Sequence, residues 1–313
     1  MTKPSIFIDG EHGTTGLEIR QRLEGNPAFE LKSIAPEKRK DAGARREMLG
    51  QVDLAILCLP DDASKEAAAM AGSLPGGGPK LIDASTAFRV NPDWVYGFPE
   101  LNDAQMAQVK AAKRVSNPGC YPTGAIALIR PLVDAGIIPA DFPISINAVS
   151  GYSGGGKQMI EQYESGQGPS FDLYGLTLNH KHVPETQLYS GLTRRPIFVP
   201  SVGNYKQGML VSVPLHLDAL AGKPKLADLE AVLSKHYAGG GFVRVVTDPL
   251  SEPKKDRIEP EALNGTNGLE LRVYGSDQHR QAVLVARLDN LGKGASGAAV
   301  QSARLMLGVK DVQ

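Results

Sequence analysis

A short apolar run, Ser5-Ile6-Phe7-Ile8-Asp9, breaks into Gly10-Glu11-His12-Gly13-Thr14-Thr15-Gly16, and helical apolar spacing then runs from Leu17 to Leu23. Strand, glycine turn and helix in that order commit the chain to a β-turn-α opening. The glycines allow a tight reversal and bring backbone N–H groups to a helix N-terminus, where a pyrophosphate can approach. The spacing is G-x-x-G-x-x-G and not the commoner G-x-G-x-x-G, so a tight turn without a ligand is the competing reading. On the dinucleotide reading, Gly10, Gly13, Thr14, Thr15 and Gly16 are the contact residues.

Further apolar runs at Phe29 to Ala35, Asp53 to Leu59, Lys80 to Ala84 and Arg114 to Ser116 alternate with helical stretches such as Ser64 to Ala71. That alternation is what a parallel α/β sheet requires. After an apolar helix ending near Gly136 the character changes. Ile144 to Ser150, Leu210 to Leu217, Val243 to Thr247, Leu269 to Tyr274 and Ala282 to Leu288 read as strands, with one clear helix at Leu226 to Tyr237. This predicts a second, α+β domain with a mostly antiparallel sheet. The tail from Ala298 to Leu307 is helical again and can return to the first domain, giving expected bounds of 1–119 with 296–313, and 120–295.

Lys plus Arg total 34 and Asp plus Glu total 34, so no global field recruits nucleic acid or an anionic membrane. The opening apolar run is too short for a signal segment, and no run of about 18 apolar residues suggests a membrane span. Two distant cysteines, Cys58 and Cys120, do not suggest a secreted disulfide scaffold; a cytoplasmic protein with a small-molecule substrate is expected.

NAD-preferring turns usually place an acid at the end of the second strand to hold the ribose 2′-OH, but here that strand ends at Ser33-Ile34-Ala35. Glu37-Lys38-Arg39-Lys40 follows, and Lys38 or Arg39 can meet the 2′-phosphate of NADP by charge-assisted hydrogen bonds; a solvated loop is the bland alternative. Cys58-Leu59-Pro60 ends the next apolar run, at the sheet edge where such a crevice is lined. Cys58 reads better as a small buried hydrophobe than as a nucleophile.

Cys120 differs. It follows Asn117-Pro118-Gly119, a turn signal, and precedes a helix that Pro122 can start at its first position. At a helix N-terminus the macrodipole and N–H groups favour the thiolate and can receive an oxyanion. For a proton partner, His180 and His182 stand at i and i+2, with Glu185 close enough to orient one. Zinc lacks a familiar ligand spacing here. His12, His216, His236 and His279 have no such neighbours.

Together these blocks resemble the N-acetyl-γ-glutamyl-phosphate reductase family, in its shorter sequence type. The resemblance runs in order through Gly10 to Gly16, Asp83-Ala84-Ser85-Thr86-Ala87-Phe88-Arg89, Tyr96-Gly97-Phe98-Pro99-Glu100-Leu101, Ser116 to Thr123, Ser150-Gly151-Tyr152-Ser153-Gly154, His180 to Glu185 and Asp289 to Gly297. It implies a Rossmann domain joined to a glyceraldehyde-3-phosphate-dehydrogenase-like catalytic domain, NADP(H) as cofactor, Cys120 as nucleophile and His180 or His182 as acid/base. It further implies that Ser150 to Gly156 and Asn290 to Gly297 border the nicotinamide and the reacting carbonyl. On that basis Ser85, Ser153, Gly154, Asn290 and Gly294 are cofactor candidates, and Asn117, Ser150 and Gly151 substrate candidates. Arg89 is a candidate anion contact, against the alternative of a salt bridge holding its loop to Glu100 or another acid. Aspartate-semialdehyde dehydrogenase and a non-catalytic NADP sensor on the same fold are the rival readings. Fold analogy suggests a homodimer or homotetramer.

Overall fold

The computed structural model describes residues 3–251 and 256–309. The chain divides into two compact units, 1–118 with 295–313, and 119–294.

In the first unit the elements run β1 (Ser5–Asp9), α1 (Thr14–Leu23), β2 (Glu30–Lys32), α2 (Ala42–Leu49), β3 (Leu54–Leu57), α3 (Asp61–Gly72), β4 (Lys80–Asp83), β5 (Val95–Tyr96), α4 (Asp103–Ala111) and β6 (Arg114–Ser116), and the C-terminal helix Gly297–Leu307 joins them. The strands form one sheet in the order β2-β1-β3-β4-β6-β5, every pair parallel. Alternation along β1 explains the layering. Ile6 and Ile8 pack with Ile19, Leu23, Val109, Ala299 and Ala303 from α1, α4 and the C-terminal helix. Phe7 packs on the other face with Leu49, Ala67 and Ala71 from α2 and α3. The C-terminal helix thus contributes Ala299 and Ala303 to this layer.

Two helices here went unread in the sequence. α2 buries only Leu49 and is started by Asp41, whose carboxylate accepts the Ala44 N–H. α4 buries Gln105 and Val109 and is capped by Asn102. Caps signal both, while their apolar stripes are too thin to register as a period.

The second unit opens with α5 (Cys120–Asp134), then β7 (Ser145–Gly151), α6 (Gly156–Glu164), β8 (Phe171–Leu173), α7 (Val183–Tyr189), β9 (Ile197–Gly203), β10 (Met209–His216), α8 (Leu226–His236), β11 (Val243–Val245), β12 (Leu269–Ser276) and β13 (Gln281–Leu288). The sheet order is β11-β12-β13-β10-β7-β9-β8. The central run is antiparallel, as is β8 on β9, but β11–β12 and β7–β9 pair in parallel, so the sheet is mixed. β9 carries Pro200, a residue unusual in an inner strand. It is tolerated because β8 is short: their register ends at Leu173 opposite Ser201, just before Pro200.

α5 is buried along nearly its whole length and carries Pro131 in its interior. That proline has no N–H for the Ala127 carbonyl, and the Tyr237 hydroxyl donates to it instead, at 3.0 Å. Tyr237→Phe strips the carbonyl of this donor. We expect a loss of about 1–2 kcal/mol in denaturant unfolding with kcat unchanged. Among the described residues no helix is long and apolar enough to cross a membrane.

Candidate functional site

Cys120 is the first residue of α5, and Gly119 is its N-cap. The sequence places Pro122 at the helix's first position, whereas the structure makes it the third. Proline is accommodated there because the first-turn N–H groups have no intrahelical acceptor in any case. The consequence favours the site: the thiol lies within the positive first turn and not ahead of it.

Gly119 is clamped from both sides. Its N–H donates to Glu185 Oε2 at 3.1 Å, and its carbonyl accepts from the Thr123 N–H at 3.0 Å and the Thr123 hydroxyl at 2.9 Å. Glu185, 1% exposed, therefore holds the turn that carries Cys120. Pro184 and Glu185 lie in the first turn of α7, which is how a residue 66 positions away reaches this turn.

Around the cysteine stands an aromatic cluster. The Tyr121 ring lies 6.1 Å from His180 and 5.9 Å from His182, and the two imidazoles are 4.7 Å apart. His180 Nδ1 accepts the His182 backbone N–H at 3.1 Å, so the neutral His180 ring carries its proton on Nε2. His182 is buried and His180 half-buried. Tyr174 Oη donates to Tyr121 Oη at 3.2 Å, and Tyr121 Oη donates to the Ser201 carbonyl at 3.0 Å. Burial pushes both phenols up, Tyr174 to about 12, and the nearby Cys120 charge pushes in the same direction. Both stay protonated and act as donors. Neither tyrosine was singled out in the sequence, although Tyr121 adjoins Cys120.

The remaining candidates of this unit are interlocked. Asn290 donates to Ser153 Oγ at 2.9 Å and accepts the Gly208 N–H at 2.8 Å. Ser150 Oγ donates to the Gly151 carbonyl at 3.0 Å. A Cβ added at Gly154 would lie 3.0 Å from Ser150 Oγ, one added at Gly151 would lie 2.6 Å from the Lys206–Gln207 backbone, and one added at Gly294 would lie 2.8 Å from Cys120 Cβ.

In the first unit, the glycine turn closes with Gly13 N–H donating to the Gly10 carbonyl at 3.0 Å. Cβ atoms at Gly10 and Gly16 would come within 2.3 Å of the Cys58 and Gly10 carbonyl oxygens, so the turn can be this tight only with glycine at both. A cavity of about 340 Å³ lies against it, lined by Gly10, Gly13, Arg39 and Leu59 as read from the sequence, and also by Glu11, His12, Ile34 and Lys40. Thr14, Thr15 and Gly16 begin or flank the helix start beside it, and Pro60 caps α3. Lys38 ends a short 3₁₀ turn, and the cationic wall of the cavity comes from the two residues after it.

His12 lines the cavity while staying exposed. One sequence expectation changes here. The end of β2 does have a carboxylate beside it: Glu11 reaches across from the glycine turn, and Ser33 Oγ donates to its Oε2 at 3.0 Å. A motif search along β2 cannot find an acid supplied by another loop.

Burial pushes the Cys58 thiol far up and the carboxyls of Asp83 and Asp9 add to this, which disfavours its thiolate. Ser85 Oγ donates to Asp83 at 2.7 Å. Arg89 is buried, donates to the Ala84 carbonyl at 3.4 Å and acts on the Asp83 carboxyl, whose proton affinity burial raises and Arg89 lowers. These contacts favour the loop-holding reading of Arg89. Asn117 Nδ2 donates to the Ala295 carbonyl at 3.0 Å.

Two family models match the chain. Residues 5–109 match the semialdehyde dehydrogenase NAD binding domain and 120–290 the semialdehyde dehydrogenase dimerisation domain. N-acetyl-gamma-glutamyl-phosphate reductases of Brucella ovis and Brucella canis are each 56% identical over 98% of this chain and 99% of their own. The chain belongs to the N-acetyl-γ-glutamyl-phosphate reductase family. An aspartate semialdehyde dehydrogenase II of Vibrio cholerae shares the fold with a TM-score of 0.74 at 18% identity, covering 98% of this chain and 99% of that one. The enzyme of Candida albicans solved with NADP follows at 0.63 and 15%, with the same coverage. At such identities the rival aspartate-semialdehyde reading rests on fold alone, whereas the reductases share more than half of their residues over the same span.

Proposed function

We propose that Cys120 is the nucleophile through which this member of the reductase family converts N-acetyl-γ-glutamyl phosphate to N-acetylglutamate 5-semialdehyde with release of phosphate, a step of arginine biosynthesis. The observation that carries the assignment is the placement of Cys120 in the first turn of α5, with Gly119 fixed on both its polar groups. Helix N-termini lower thiol pKa values and so supply thiolate near neutrality. The thiolate attacks the γ-acyl carbon and expels phosphate, leaving a thioester on Cys120. NADPH, when bound, supplies the hydride that reduces this thioester. The tight glycine turn and the cavity flanked by Arg39 and Lys40 fit that dinucleotide.

His180, its Nδ1 occupied by the His182 N–H, is set to donate from Nε2 to the carbonyl oxygen as negative charge develops there. We rank it ahead of the buried His182 as the hydrogen-bond donor that holds this oxyanion. Sulfur then leaves as the carbonyl re-forms. Glu185 acts on the turn that carries the nucleophile. We assign nucleotide binding to 1–119 with 296–313, and catalysis and oligomerisation to 120–295. A homodimer or homotetramer is supported by the name of the matched dimerisation model and by Phe171, Leu173 and Leu176, which stand exposed on and beside the short edge strand β8. A reduced, cytoplasmic setting suits an enzyme that works through a free thiol.

The test is the reverse reaction. With N-acetylglutamate semialdehyde and phosphate the protein should reduce NADP far faster than NAD, and aspartate semialdehyde should support little turnover. Equal rates with both aldehydes would sink the substrate assignment.

A further inference from the structure

Glu11 is an awkward residue for a dinucleotide pocket. It lines the cavity beside the glycine turn, where every ligand phosphate is negative, and its side chain is 14% exposed. The structure also shows how the charge is handled. Arg20, from α1, places Nη1 2.7 Å from Glu11 Oε2 and 2.8 Å from Ser33 Oγ, and Ser33 Oγ donates to the same Oε2 at 3.0 Å. The three side chains close a triangle at the end of β2, next to Ile34, beside a cavity that Glu11, Ile34, Arg39 and Lys40 line.

A carboxylate at the end of β2 is the feature that selects an unphosphorylated ribose, by accepting from its 2′-OH and repelling a 2′-phosphate. Here the same place holds a carboxylate whose charge is cancelled. We propose that the Glu11–Arg20 pair determines cofactor choice: Arg20 neutralises Glu11 and, with Ser33, offers donors to the 2′-phosphate, so that without Arg20 the pocket would reject NADP in favour of NAD. The inference rests on the cofactor reading given above and adds to it the residue on which selectivity turns. Arg20 has five N–H donors in a planar fork, enough to keep Glu11 paired while meeting a phosphate oxygen. The sequence alone offers no reason to look at Arg20, which sits in the helix and outside both the glycine motif and the basic run.

Calorimetric binding of NADP⁺, NAD⁺ and 2′-phospho-AMP to the full chain and to Arg20→Met, Glu11→Gln and the double variant tests this. Arg20→Met should weaken NADP⁺ and 2′-phospho-AMP about 30-fold, the scale of a lost charge-assisted hydrogen bond, and leave NAD⁺ within about threefold. Glu11→Gln should bind NADP⁺ at least as tightly as the parent, and adding it to Arg20→Met should recover about fivefold or more by removing the exposed repulsion. Equal weakening of NADP⁺ and NAD⁺ in Arg20→Met would reduce the pair to a scaffold for the glycine turn and overturn the proposal. So would a double variant no tighter than Arg20→Met, or selective loss of NADP⁺ in Glu11→Gln, which is also decisive if Arg20→Met does not fold. A parent protein binding neither nucleotide would overturn the cofactor reading itself, a result distinct from loss of selectivity alone.

Discussion

Cys120→Ser should bind NADP⁺ as tightly as the parent and turn over about 10⁴-fold more slowly or worse. Serine keeps the shape of the first turn of α5 and its N–H groups. It cannot keep the nucleophile, because a hydroxyl at a helix N-terminus stays protonated at neutral pH where a thiol ionises. The cavity proposed for the dinucleotide is lined by residues of the other unit, Phe7 to Gly13 among them, so cofactor affinity reports separately that this unit is intact. Single-turnover assays for acyl transfer from the substrate, read as phosphate release, place the defect at the attack step. A Cys120→Ser protein with more than about a tenth of parental kcat would remove the thioester from the mechanism.

Much of this site was legible before any coordinates, because its signals are local. Asn-Pro-Gly before Cys120 announces a turn, the apolar run after it announces a helix, and together they fix the thiol at a helix start. What the sequence could not show is every relation carried by partners distant along the chain. Glu185 stands three residues after His182, and its contact with the Gly119 N–H, 66 positions away, is invisible in the local pattern. The Glu11–Ser33 contact is of the same kind. So is the pairing of Tyr174 with Tyr121, which joins residues 53 apart.

The fold shows a similar boundary between legible and hidden. Strands with full apolar runs, such as Ser5 to Asp9, were readable to the residue. Val95–Tyr96 is too short to produce an alternation at all, and the parallel pairing of β7 with β9 depends on a chain path that no local pattern encodes. The mixed character of the second sheet follows from that path.

Gly294 carries the last large expected effect. Its N–H donates to the Asp289 carbonyl at 3.0 Å, and the Asp289 side chain, fully buried, accepts from Gln207 at 2.6 Å, from Gly265 at 2.8 Å and from Leu291 at 2.9 Å. The segment behind Gly294 is therefore held and cannot recede. On the other side an alanine Cβ would come to 2.8 Å from Cys120 Cβ and 3.2 Å from Cys120 Cα. Cys120 is fixed in turn by the clamp on Gly119, so the overlap resolves by shifting the nucleophile. A displacement on the order of 1 Å at a reacting atom costs about 10² in rate, and overpacking costs about 1–3 kcal/mol in stability. Gly294→Ala should thus lower kcat about 100-fold, change the rate of Cys120 alkylation by iodoacetamide, and leave the Kd for NADP⁺ within about threefold. Parental kcat and parental alkylation in Gly294→Ala would mean that one of the two held segments yields without cost. The close approach of this glycine to Cys120 would then have no part in aiming the thiol.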